Sequence, residues 1–250
     1  MNEKNARRRA RIGLSAIVLL LAGCASSYVV PGPRADLKSF GSPSIQESFA
    51  AQPANPFPAT LAFVRVQAPT YASARLPETL AGATTGRYRV ITTRESEDDA
   101  QVDRLGRLPQ VAGVTPLSRM LLPPNVQGDK ELREAAARLH ADLVLVYTFD
   151  TAIFDTDLSR PLTVITLGLS STRKLSISTT ASALLLDTRT GYVYSTYEAT
   201  KRSDTLASSW GTADSADQVR RDNEREAFGL MLDQVEKTWP KLVAQATHKR

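Results

Sequence analysis

Few side chains in this 250-residue chain have types and spacings suited to chemistry. Cys24 is the sole cysteine and stands directly behind Leu21-Ala22-Gly23, at the end of a short apolar run. A thiol placed there is an acceptor for acyl transfer, and with no second cysteine it cannot close an intrachain disulfide. The two histidines offer little: His140 falls at the end of an expected helix, where interaction with the last carbonyls accounts for it, and His248 lies among the charged residues of the C-terminus. Asp150, Asp155 and Asp157 have the residue type for cation binding or acid/base work. They follow what reads as a strand end, however, and lack the glycine and closing glutamate of a calcium loop, so they read as solvated loop acids. No Gly-x-Ser-x-Gly elbow, His-Glu-x-x-His pair or phosphate loop is present. The expectation is a non-enzymatic protein with no catalytic residues, no cofactor and no metal.

The residues ahead of Cys24 explain its placement. A basic cluster of Lys4, Arg7, Arg8, Arg9 and Arg11 precedes the apolar stretch Ile12 to Ala22, which has the plan of a secretory signal and is too short to span a bilayer as a mature helix. Arg8-Arg9 continues into Ala10-Arg11-Ile12, a poor fit to twin-arginine export, so the general secretory route is expected. Leu21-Ala22-Gly23-Cys24 resembles the lipobox of bacterial lipoproteins: a leucine, two small residues and the obligatory cysteine. That resemblance implies diacylglycerol transfer to the Cys24 thiol and cleavage before it. A single acyl chain holds a protein only reversibly, so a cysteine carrying several is a permanent anchor. Ala25 stands where, in Gram-negative lipoproteins, an aspartate signals inner-membrane retention; its absence implies an outer-membrane anchor with the body facing the periplasm.

Removing residues 1–23 changes the charge. The precursor carries +5, but the signal holds five positive side chains and one negative, leaving about +1 for the body and no argument for nucleic-acid binding. Residues 24–58 are rich in proline with Gly, Ser, Ala and Gln, and read as a lipidated tether that could reach on the order of 100 Å if fully extended. Phe40, Ile45, Phe49 and Phe57 interrupt that composition and mark places where the tether can dock on the domain.

The elements that follow predict one α/β domain of the α+β kind over 59–240, with a charged tail at 241–250. Strands are expected at 60–66 and 88–93, and prolines at 109, 116, 123 and 124 break the region between into short pieces. Glu97-Asp98-Asp99 reads as a helix start, and Asp129 as the cap of a helix to His140 with Leu132, Ala135, Ala136 and Leu139 on one face. The run 142–149 is apolar enough for burial on both faces. From Leu175 to Ala183 apolar and hydroxyl residues alternate, and Asp187 to Gly191 is a turn into Tyr192–Tyr197, giving a long antiparallel hairpin. In it Tyr192 and Tyr194 share a face that Tyr197 does not, and half-buried sheet tyrosines account for all three. A final amphipathic helix, 214–239, stops at Pro240 and lies on the mixed sheet.

The order helix, "ADLVLVY" strand, "LLLDTRTGYVY" hairpin and closing amphipathic helix resembles the domain shared by the curli-secretion lipoprotein and periplasmic lipoproteins of the penicillin-binding-protein activator type. Asp187, Thr190, Gly191, Val193 and Ser195 match that family's hairpin turn, while Tyr147 stands where the family has a small residue. The resemblance implies a protein-binding scaffold or assembly factor, anchored in membrane lipid through acylated Cys24, with an envelope protein as partner and homo-oligomers open. The alternative is an oligomeric secretion component that inserts a β-hairpin, 162–186, into the outer membrane.

Overall fold

Residues 59–67 and 143–149 are nearly continuous apolar runs, and burial on both faces places them at the centre of the sheet. The computed structural model describes residues 31–41, 44–54, 57–73, 86–123, 126–157, 172–208 and 212–248. The expected signal, Cys24 and the first part of the expected 162–186 hairpin, with all of 158–171, lie outside these residues. Among them are six strands: β1 (Ala59–Gln67), β2 (Arg89–Ile91), β3 (Val111–Pro116), β4 (Leu143–Asp157), β5 (Thr172–Asp187) and β6 (Val193–Ser208). They form one mixed sheet in the order β2-β1-β4-β5-β6, with β3 also paired to β1. β4 and β3 run parallel to β1, whereas β5 and β6 continue the sheet antiparallel.

Four helices accompany the sheet among the described residues: α1 (Ile45–Ala50), α2 (Asp99–Gly106), α3 (Asp129–Arg138) and α4 (Thr212–His248). α2 starts as expected, with Asp98 and Gln101 forming a reciprocal capping box. α3 starts one residue earlier in role than expected. Gly128 is its cap, and Asp129 sits inside the first turn, buried and held by Arg133 at 2.8 Å. His140 ends α3 in the left-handed region at φ 55°. There Ala141 N–H donates to the Ala136 carbonyl and His140 N–H to that of Ala137, the hydrogen-bond pattern of a Schellman stop.

Three differences from the sequence reading matter. β4 continues eight residues past Phe149, because every position to Asp157 pairs with β5; Asp150, Asp155 and Asp157 therefore belong to a strand and not to a loop. α4 continues through Pro240 to His248, since Leu242, Val243 and Ala246 carry its apolar face onto the core and offset the hydrogen bond lost at the proline. Its 37 residues span about 55 Å, close to the ~50 Å of the 16-residue strands beneath. Finally, the proline-rich stretch is packed on the body from Pro31 onward. Ala35 N–H donates to Thr148 Oγ1 at 3.0 Å, Arg34 bridges to Gln67, and Phe40 meets the Tyr88 ring edge-on at 4.9 Å.

The sheet thus has two covered faces. On one, Phe63, Leu145, Tyr147 and Phe149 pack with Phe228, Met231 and Trp239 of α4 and Leu105 of α2. On the other, Val64, Val144 and Val146 pack with Leu132, Ala135 and Ala136 of α3 and with Ala35 and Phe40 of the docked strap. The alternation in β5 is resolved as expected: Ile177, Thr179, Ala181 and Ala183 are buried, while Ser176, Ser178, Thr180 and Ser182 stay partly open.

Candidate functional site

The densest chemistry lies in a sealed ionic cluster under the N-terminal half of α4. Arg220 projects from α4, fully buried, and its guanidinium bonds Asp217 at 2.8 and 3.1 Å, both Glu224 oxygens at 2.9 Å and Glu95 at 3.0 Å. Helical spacing sets Asp217 and Glu224 one turn either side of it. Arg65 enters from β1. Its Nη2 donates to Tyr71 Oη at 2.9 Å, its guanidinium lies 4.6 Å from the Phe149 ring centre, and Glu97 and Glu224 stand at 3.6 and 3.7 Å. Arg65 Nε and Nη1 have no hydrogen-bond partner among the described residues.

Ser96 Oγ donates to Glu224 at 2.6 Å, Tyr147 Oη donates to Glu97 at 3.0 Å, and the Thr151 and Thr179 hydroxyls meet at 3.0 Å. Burial opposes the charge on both arginines, but the neighbouring carboxylates and tyrosine oxygens outweigh it and push both pKa values above the ordinary guanidinium range. Burial also holds the Tyr147 phenol well above its usual pKa, reinforced by the Glu97 charge. The sequence reading missed this cluster. Its carboxylates and arginines are scattered from residue 65 to 224, and only Asp217, Arg220 and Glu224, at helical spacing, were a local signal.

The hairpin turn is a second polar centre, and it explains the motif residues. Asp187 is fully buried. Its Oδ1 accepts from the N–H groups of Arg189 and Thr190, and its Oδ2 from Tyr194 Oη and from Ala54 N–H at 2.8 Å. Gly191 takes φ 72°, with the Arg133 guanidinium 3.2 Å from where a Cβ would stand. These residues build a turn and fasten the chain after α1 to it. Tyr192 and Tyr194 meet edge-on at 5.2 Å and are half-buried, whereas Tyr197 is buried under α4, where Thr238 Oγ1 donates to its hydroxyl.

Open surface begins where the strap ends its crossing. A groove of about 640 Å³ runs between the strap and the hydroxyl face of the hairpin, lined by Arg34, Asp36, Ser182, Leu184, Thr196 and Glu198 among others. It opens onto the outer edge of β6, which pairs only with β5 among the described strands. At Glu198 that edge is closed by Gln234 of α4, whose amide accepts from Glu198 N–H at 3.4 Å and donates to its carbonyl at 2.7 Å. The backbone groups of Thr200 and Arg202 face the same way, two and four residues on.

The candidate residues do not converge. His140 is a helix stop beside a small cavity, and His248 is the last described residue of α4. Asp150 is half-exposed and 3.7 Å from Arg34, while the pleat separates it from positions 155 and 157. Among the described residues no three His, Asp or Glu side chains form a metal group, and no helix is long and apolar enough to cross a membrane. The β5 part of the 162–186 segment is paired on both flanks, to β4 and β6, with Ala181 and Ala183 among the core residues α4 covers and Ile177 buried. No protein-family model matches the chain, and no curated protein is similar to it.

Proposed function

We propose that this chain is a lipid-anchored envelope protein whose α+β body acts without catalysis as a protein-binding scaffold or assembly factor in the periplasm. The anchor rests on Leu21-Ala22-Gly23-Cys24 behind its basic and apolar flanks. Protein binding is carried by one observation: β6 is a 16-residue edge strand whose outer side is capped at Glu198 and paired with no other described strand beyond it. An unpaired strand edge presents alternating N–H and C=O groups, which suits addition of an extended segment from a partner. The hydroxyl row of β5 and the adjoining groove supply polar side-chain contacts on the same face. The buried ionic cluster, in which Arg220 is paired with Asp217, Glu224 and Glu95, serves to hold α4 on the sheet.

A photo-activated crosslinker in place of Arg202, in the full chain in its native envelope, tests this. The expected result is a discrete protein adduct that is lost when the crosslinker is moved to Lys130 on α3. Identical adduct patterns from both positions would refute the assignment of the edge.

A further inference from the structure

The open edge of β6 has a helix running beside it. Ser203 Oγ donates to Asn223 Oδ1 at 2.6 Å, Lys201 Nζ to Glu226 at 2.5 Å, and the Glu198 backbone meets the Gln234 amide. From Asn223 to Gln234 the helix advances about 16 Å, and from Ser203 to Glu198 the strand covers about the same, so α4 and β6 lie side by side in opposite directions. Leu230, 43% exposed, falls between Glu226 and Gln234 on that stripe of α4. Because Gln234 bonds both backbone groups of Glu198, that residue points its N–H and C=O outward. By alternation residues 200, 202, 204 and 206 do the same.

We propose that this edge is filled by a second copy of the chain: β6 pairs antiparallel with its own copy about a two-fold axis at Ser203, joining the two sheets into one. The inference rests on the reading of the β6 edge as the protein-binding surface and names its occupant. Charge selects both the copy and the register. Identical strands related by a two-fold axis oppose residues reciprocally, and with outward groups on alternate residues the axis must fall at a residue and not between two. At Lys201, Arg202 or Asp204 it would set that charge against itself. At Thr200 it would set Glu198 opposite Arg202, but Gln234 already holds the Glu198 backbone. Beyond Asp204 it would shorten the ladder and leave Arg202 facing no acid. At Ser203 it sets Arg202 opposite the copy's Asp204 and Asp204 opposite the copy's Arg202, and both residues are exposed.

In this register Arg202 and Asp204 form the hydrogen-bonded rows on either side of the axis, with Thr200 and Leu206 the next, and pairing stops where the Gln234 cap begins. Ser203 and its copy face each other in the non-hydrogen-bonded row between. Leu230 lies about 10 Å beyond Asn223 along α4, and the two-fold sets it level with the first turns of the copy's α4, so an exposed apolar side chain gains cover along with the strand. A bare strand edge invites indiscriminate pairing, and a self-complementary register closes it.

The test uses the full chain in its native envelope membranes, with the parent, which has Cys24 alone, setting the baseline. Opposed Cα atoms in a non-hydrogen-bonded antiparallel row stand about 4.5 Å apart, within disulfide range, so Ser203→Cys is expected to give a covalent dimer under mild oxidation. Thr200→Cys, exposed on the same edge, would stand about 20 Å from its copy and is expected to give several-fold less. Arg202→Asp in the Ser203→Cys chain should cut the dimer yield several-fold, and adding Asp204→Arg, which restores opposite charges in each row, should recover it. Equal yields from Thr200→Cys and Ser203→Cys, or no recovery in the charge exchange, would overturn the two-fold pairing. A Ser203→Cys chain that gives no dimer, while the crosslinker at Arg202 captures a different protein, overturns the second copy and keeps the edge; absence of both adducts removes the edge as well.

Discussion

Arg220 shows how one residue can organise a region without doing chemistry. Its planar fork of donors satisfies three carboxylates at once, and it is fully buried while doing so. Removing one member of a buried ionic cluster strands the others in a medium of low polarity, which typically costs about 3–5 kcal/mol. Arg220→Met is therefore expected to lower the unfolding free energy by about that amount in urea titrations, and Arg220→Lys to recover only part of it, because a point ammonium cannot fork. A loss under about 1 kcal/mol, the range of an exposed pair, would mean that water reaches Asp217, Glu224 and Glu95 in solution. Asp187 carries a comparable load at the turn. Its four accepted hydrogen bonds give the motif residues Asp187, Thr190 and Gly191 a structural reason to occur together.

At the scale of elements, the periodic segments were legible and the fastenings were not. The two-residue alternation of β5 and the three-to-four-residue spacing in α3 and α4 are local patterns, and each element formed where its pattern lies. The extension of β4 past Phe149 was not readable from Asp150, Thr151 and Asp155, because a full row of pairing partners in β5 overrides weak strand propensity. α4 likewise ran through Pro240 because apolar residues beyond it still had core to cover. The strap was the least legible element, since a Pro-rich composition says nothing about where its few apolar groups land. Phe40 and Phe57 are buried, while Ile45 and Phe49, from the same stretch, are not. That contrast is measurable. Phe40→Ala is expected to cost about 3 kcal/mol and to expose residues 31–41 to limited proteolysis, whereas Ile45→Ser with Phe49→Ser should change stability in water by no more than about 0.5 kcal/mol. Equal effects of the two changes would show that the strap is not docked.

Across the whole molecule, α4 is the member that ties everything together. It crosses both hydrophobic and ionic parts of one sheet face, from Arg220 and Glu224 at the distal end to Trp239 and Ala246 near the turn. The sheet beneath it is continuous, so loss of the ionic half is expected to be felt at the apolar half. Tyr147 sits where the two halves meet, packed against Phe228 at 4.9 Å and donating to Glu97. Burial first, then the Glu97 charge, raises its pKa well above that of an unfolded tyrosine, and burial raises Tyr71 in the same direction. A raised pKa means the folded protein keeps these protons when the unfolded chain has released them. Their contribution is complete below the unfolded value near pH 10 and falls as pH rises toward the folded values, by about 1.4 kcal/mol per pH unit for each phenol. Urea midpoints should therefore be level from pH 7 to 9 and drop steeply above 10. Tyr147→Phe starts from a lower midpoint, because Glu97 loses a donor, but its decline above pH 10 should be shallower than that of the parent. Parallel declines would show that Tyr147 ionises as readily in the folded protein as in the unfolded chain, and that the junction beneath α4 is open to water.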